Sequence, residues 1–122
     1  MCIRDRRIID TILVSYTEVI ANAESYEDAE KRHAMGQLMT LLNGTLEARG
    51  KVLVKLNVAP DRFDAVLALL PSAKSPTVAQ LANGGFAIET VVEKRSINRL
   101  IPGLKDAGAT DLLELPISKI VA

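Results

Sequence analysis

The sequence is almost without the residues that build disulfides and metal cages. Cys2 is the only cysteine and His33 the only histidine among its 122 residues. A disulfide framework is therefore excluded, and a His/Cys metal cage within one chain is strongly disfavoured. This cysteine usage fits a reducing, cytoplasmic compartment.

An excess of charge of one sign and long apolar runs are also absent. Fifteen basic and fifteen acidic residues cancel, so no global field steers the chain to nucleic acid or to an anionic membrane. Aromatic residues make up only 3% of the sequence and are too scattered for a base-stacking platform. No apolar run approaches the roughly 20 residues of a membrane span, and nothing near the start has the order of a signal peptide. We expect neither nucleic acid nor membrane as a partner.

The first half of the sequence has the pattern of a strand segment followed by a long connector. Residues 1–7 are charged and unpatterned, which indicates a non-native tail or a short disordered one. Residues 8–24 are rich in β-branched and aromatic types, which predict one or two strands of a truncated preceding domain. Residues 25–50 have helical spacing of apolar residues after Ser25 and Asp28, and Gly50 is placed to end the helix. A helix of about seven turns with one apolar stripe is typical of a linker or a subunit contact.

Residues 51–122 are more regularly patterned. A strand is predicted over residues 51–58, and Pro60 suits the first turn of a helix that Pro71 ends. Strands over residues 77–82 and 86–92 flank an Asn-Gly-Gly triplet, which predicts a β-hairpin.

The last helix and strand complete a recognisable order. Ser96 is predicted to cap a helix that ends before Gly108, with Pro102 kinking it or leaving its first half loose. A final strand is predicted near residues 111–115. The resulting order, βαββαβ, is that of an α+β, ferredoxin-like domain with a four-stranded antiparallel sheet and both helices on one face. Because the other sheet face then lacks a cover, we expect a homo-oligomer.

Two segments carry a resemblance to a known family. The run LLPSAKSPTVAQLANGGFAIETVV, residues 69–92, and the closing run LKDAGATDLLELPISKI, residues 104–120, resemble the C-terminal region of long-form ATP phosphoribosyltransferases. The segment DTILVSYTEVIAN, residues 10–22, is similar to the last strands of the catalytic region of the same enzymes. The resemblance covers residues 8–122 and identifies residues 51–122 as the regulatory domain.

The resemblance implies a function for the whole enzyme and a narrower one for this chain. The enzyme would join ATP to phosphoribosyl pyrophosphate with Mg²⁺, at the first step of histidine biosynthesis. L-histidine would inhibit it by binding between regulatory domains of neighbouring subunits in a hexamer. No phosphate-cradling loop is present in this sequence, so no catalytic residue is assigned, and we expect this chain alone to be inactive and to bind no metal.

The same resemblance implies an effector site. Its candidate residues match positions of the family that line the histidine pocket: Asn57, Ala73, Ser75, Pro76, Thr77 and Asp111. Asn57 stands where many relatives have an acidic or polar residue, so it keeps hydrogen bonding and loses a charge. Each residue also has a simpler interpretation, since Asn57 can bond its own turn, Thr77 can be an ordinary strand residue and Asp111 can merely begin a strand.

Two other functions remain open from the sequence. One is a free-standing ferredoxin-like sensor for another small molecule or a metal. The other is a structural domain that assembles catalytic subunits and has lost effector binding, which the uncharged Asn57 keeps open.

Overall fold

A computed structural model describes residues 7–71 and 75–122. The chain divides into two compact units, one up to Met35 and one from Gly36 onward. The second unit contains the whole sheet and positions the candidate site.

Residues 7–22 form neither helix nor strand, so the strands predicted for residues 8–24 are not seen in this structure. The apolar side chains of this segment are exposed, and those of Ile9 and Ile12 reach 98%. A strand satisfies its backbone donors and acceptors only against a neighbouring strand, and the described chain pairs none with this segment. Its assignment to a preceding domain stays a prediction.

The predicted connector helix is two helices, α1 (Ala23–Glu27) and α2 (Ala29–Ala48). The Asn22 side chain caps α1 by accepting the N–H of Ser25 at 3.2 Å. Asp28 is extended, with ψ 120°, and its carboxylate accepts the N–H of Lys31 at 3.0 Å. The prediction of one unbroken helix was therefore wrong, because two successive Asx caps start two helices. Gly50 has φ +74°, as predicted for the residue that ends the connector.

The remaining elements follow the predicted order: β1 (Lys51–Val58), a 3₁₀ turn (Pro60–Arg62) leading into α3 (Phe63–Leu69), β2 (Thr77–Gln80), β3 (Phe86–Glu93), α4 (Lys94–Asp106) and β4 (Thr110–Pro116). The sheet order is β2-β3-β1-β4 with every neighbouring pair antiparallel. The ferredoxin-like α+β prediction is confirmed. β2 stops two residues before the predicted end, because the turn already begins at Leu81, whose N–H bonds Gly85 O at 2.7 Å.

The core lies between one sheet face and the helices α3 and α4. Buried and half-buried residues alternate along β1, as a strand with one face on the core requires. The buried set from the strands and helices includes Val52, Val54, Leu56, Val58, Val66, Ile88, Val92, Ile97 and Leu104. The rings of Phe63 and Phe86 meet with centroids 4.7 Å apart and planes tilted by 50°, so the first residue of α3 packs on the first residue of β3.

α4 differs from the prediction in the residue that caps it and in the order of its first half. It begins at Lys94, and Ser96 lies inside the first turn with its Oγ donating to Glu93 O at 2.8 Å. Ser96 is therefore not the cap. The helix continues through Pro102, so the loose first half is not found; Ile97 and Leu104 are buried on either side of the proline and hold both halves on the sheet. Within the described residues no helix combines the length and the apolar character needed to cross a membrane.

Candidate functional site

A pocket of about 280 Å³ opens at the end of the sheet where β1 finishes. Its walls come from the end of β1, the chain that follows it, the β2–β3 hairpin and the connection from α4 into β4. The polar side chains on the wall are Asn57, Asn83, Thr110 and Asp111. Three chain connections therefore meet one strand end, which is where a small-molecule pocket can form without disturbing the core.

Asn57 and Asp111 form the polar centre of this pocket. The Asn57 amide donates from Nδ2 to Asp111 Oδ2 at 3.0 Å. Thr110 Oγ1 also donates, at 3.4 Å, to the backbone oxygen of Asn57. The strand register between β1 and β4 shifts between Lys55 and Asn57, so the start of β4 beside the pocket is irregular.

The backbone at Asp111 is unusual. Its φ is +50°, and among the described residues it is the only non-glycine with a positive φ. Asp tolerates this left-handed region better than most residues, although at some energetic cost. The strained backbone lies at the irregular start of β4, where the carboxylate meets Asn57.

The pocket therefore offers acceptors to a ligand. One N–H of the Asn57 amide donates to Asp111, which leaves the carbonyl oxygen as an acceptor and the second N–H as a donor. Asp111 is the only charged side chain among the described residues that line the pocket. An amide oxygen beside a carboxylate suits a ligand that brings N–H donors and positive charge, such as an ammonium or an imidazolium.

The other candidate residues lie elsewhere. Ser75 and Pro76 precede β2, and Thr77 begins it opposite Glu89, with its side chain exposed. None of these three lines the pocket in the single chain. Ala73 falls outside the described residues. Thr77 does share a sheet face with Asn57, because Thr77 pairs with Glu89 and Glu89 with Lys55, two positions before Asn57 on β1.

Several residues that line the Asn57–Asp111 pocket were not predicted from the sequence. The hairpin contributes Leu81, Asn83 and Gly85, and the α4–β4 connection contributes Gly108 and Thr110. A signal was available, because in the βαββαβ order the β2–β3 turn and the entry to β4 both lie at the end of the sheet where β1 finishes. Turn residues at those two positions are therefore candidates for one pocket.

A larger cavity, about 510 Å³, lies toward the other end of the sheet, where Pro71, Val91, Ser96 and Ile120 contribute to its wall. Its charged residues include Lys51, which is paired with Glu47. Across residues 7–71 and 75–122, no group of three or more His, Cys, Asp or Glu is placed to hold a metal ion. The Asn57–Asp111 pocket is thus the better candidate for recognising a polar ligand.

Comparisons with known proteins point to one family. The family described as "HisG, C-terminal domain" matches residues 48–119, a range that begins at the end of α2 and includes the whole sheet. A protein of Pelotomaculum thermopropionicum named ATP phosphoribosyltransferase is 47% identical over 116 residues, covering 94% of this chain and 40% of the relative.

Proteins with the same name from Desulforudis audaxviator and Solibacter usitatus are 45% and 42% identical over the same length, again covering 94% of this chain and 40% of each relative. The chain thus spans about 40% of the length of the curated relatives it matches. The family match covers more than half of the chain and coincides with the ferredoxin-like sheet and its helices. This chain belongs to the HisG C-terminal domain family.

Proposed function

We propose that this chain is the regulatory part of an ATP phosphoribosyltransferase, and that it binds L-histidine as a feedback effector within a homohexamer. The observation that carries the proposal is the Asn57–Asp111 pair in a pocket of a domain that belongs to this family. The relatives bear the enzyme's name and are much longer than the part that matches this chain.

The whole enzyme would transfer the phosphoribosyl group of phosphoribosyl pyrophosphate to ATP, giving phosphoribosyl-ATP and pyrophosphate. Bound Mg²⁺ would neutralise phosphate charge in that reaction. No group of acidic side chains among the described residues fits this ion, so no residue of this chain is assigned to it. The regulatory role, the hexamer and a cytoplasmic location remain proposals that accompany this one.

The chemistry of the pocket supports histidine as the ligand. Histidine brings an ammonium group and an imidazole N–H, and both donate hydrogen bonds. The Asp111 carboxylate supplies the negative charge. Asn57, 54 positions away in sequence, contacts that carboxylate through its amide Nδ2 and adds an amide oxygen as a further acceptor. Although Asn57 is uncharged, the pocket retains an acidic group, because β4 contributes Asp111.

The test is calorimetry with L-histidine on the full-length enzyme, comparing wild type with Asp111→Asn and Asp106→Asn. Asn keeps the size of Asp111 and tolerates its positive φ, so only the charge is lost. We expect Asp111→Asn to weaken histidine binding by about tenfold, the effect of losing one charge-assisted hydrogen bond. Asp106 is exposed in the last turn of α4, and its replacement should leave the affinity within about twofold.

The absence of any heat with wild type would contradict the proposal. If Asp106→Asn weakens histidine binding as much as Asp111→Asn does, the loss of affinity comes from the change in net charge and not from the pocket. Binding of a different ligand in place of histidine would favour a free-standing sensor.

A purely structural assembly role is the second candidate, and the open face of the sheet favours it. Leu53 pairs with Val91 on one side and Leu115 on the other, and Lys55 pairs with Leu113. These side chains share the face opposite the core, and Leu113 is 55% exposed. A histidine titration without heat, together with a stable oligomer, would favour this role.

A further inference from the structure

We propose that this chain binds a small phosphate-type anion in a second pocket, where α2 ends and both β1 and α4 begin. The pocket has a volume of about 330 Å³, and its polar lining includes Thr45, Arg49, Lys51, Lys94 and Ser118. It lies toward the opposite end of β1 from the Asn57–Asp111 pair, and the two pockets have no lining residue in common among the residues that the structure describes.

The first argument is charge. Three cationic side chains line the pocket, and none of the described lining residues is acidic. Lys51 is paired with Glu47, whereas Arg49 and Lys94 have no ion-pair partner among residues 7–71 and 75–122. In a chain with zero formal net charge, this is a local positive excess at a concave surface, where the field of like charges adds.

The second argument is position. Gly50 has φ +74°, and its carbonyl oxygen accepts the N–H of Lys94 at 2.8 Å. This hydrogen bond ties the residue that follows Arg49 to the first residue of α4. The two cations therefore belong to segments whose backbones are joined at the pocket.

The third argument is ligand chemistry. A guanidinium fork, an ammonium and the Ser118 hydroxyl offer donors in several directions, which suits an anion with three or more oxygens better than a carboxylate. The C-terminal carbonyls of α2 oppose an anion and the N-terminus of α4 favours one. Because these two effects oppose each other, the cationic side chains make the electrostatic potential in the pocket positive. Because Arg49 and Lys94 are exposed, binding should weaken as salt rises.

The test is a titration of the 122-residue chain with inorganic pyrophosphate at constant ionic strength, followed by amide NMR. We expect saturating shifts at Gly50, Lys94 and Ser118 with a dissociation constant on the order of 1 mM or tighter. Acetate at the same ionic strength should give no saturating shifts. If pyrophosphate also produces none, or if the shifts centre on Asp111, the proposal is overturned.

Lys94→Gln should raise the dissociation constant by about fivefold, as expected for one exposed charge. Lys105→Gln is the matched control, because it removes the same charge from the last turn of the same helix, and it should change the constant by less than about twofold. If both variants raise the dissociation constant equally, the effect comes from the net charge of the chain and not from a specific site, and the proposal is overturned. Arg49→Gln replaces Lys94→Gln if circular dichroism shows that the latter does not fold. Histidine binding does not depend on this pocket, so the two proposals fail separately.

Discussion

Asn57 and Asp111 come from the first and last strands of the domain and meet with their side-chain atoms 3.0 Å apart. Family resemblance made both positions candidates from the sequence, yet no local pattern around either predicts the contact. The contact depends on the register shift between Lys55 and Asn57 and on the positive φ of Asp111. Backbone irregularities of this kind follow from how whole strands fit together, so short sequence windows do not reveal them.

Gly108 is a second residue whose role depends on its surroundings. Its φ is +107°, and a Cβ placed there would lie 3.0 Å from Cγ of Arg62. We expect Gly108→Ala to lower the free energy of unfolding by about 1–2 kcal/mol through backbone strain and crowding. Urea unfolding followed by circular dichroism measures this change.

Gly103→Ala is the control, because Gly103 lies within α4 and a Cβ there would meet nothing within 4 Å. It should raise the free energy of unfolding by about 0.5–1 kcal/mol, since Ala is the better helix former. Changes of the same sign in both variants would contradict this account of Gly108.

At the scale of elements, α4 shows packing overriding a local signal. A proline inside a helix removes one backbone donor and crowds the preceding turn, which predicts either a kink at Pro102 or a loose first half of the helix; the loose first half is the alternative that the structure contradicts. The structure has one helix of 13 residues. Ile97 and Leu104, at 2% and 0% exposure, anchor it on both sides of the proline, and this burial offsets the local cost.

Pro102→Ala tests this explanation. Because Pro102 is exposed, the change restores a backbone donor without removing core contacts. We expect the free energy of unfolding to rise by about 1–2 kcal/mol, less than the full cost of an interior proline because the unfolded chain also gains freedom. The measurement is again urea unfolding, with Arg99→Ala on the exposed surface of α4 as control. A lower stability in Pro102→Ala would show that the proline is not a local defect of this helix.

At the scale of the whole molecule, the open sheet face is the main feature that one chain leaves unexplained. Leu53 and Val91 lie beside the exposed Leu113 and Leu115, and Lys55 forms an ion pair with Glu89 at 2.7 Å on the same face. An apolar strip next to a paired charge is a surface that a second copy can cover.

Leu113→Glu should therefore weaken self-association, with the dissociation constant rising at least about tenfold, because a carboxylate would be buried without a partner. Sedimentation equilibrium measures this constant. Leu69→Glu, at a site on α3 that is 46% exposed, should change it by less than about twofold. If both variants weaken association equally, the open face is not the interface.

The sequence by itself determined the order of elements from Lys51 onward, the hairpin and the positive φ of Gly50. Each of these follows from side-chain periodicity or turn chemistry within a few consecutive residues. Only the tertiary structure decided the continuity of α4, the lack of a strand in residues 7–22 and the meeting of Asn57 with Asp111. These features depend on burial and on hydrogen-bond partners far away in sequence, which no local pattern contains.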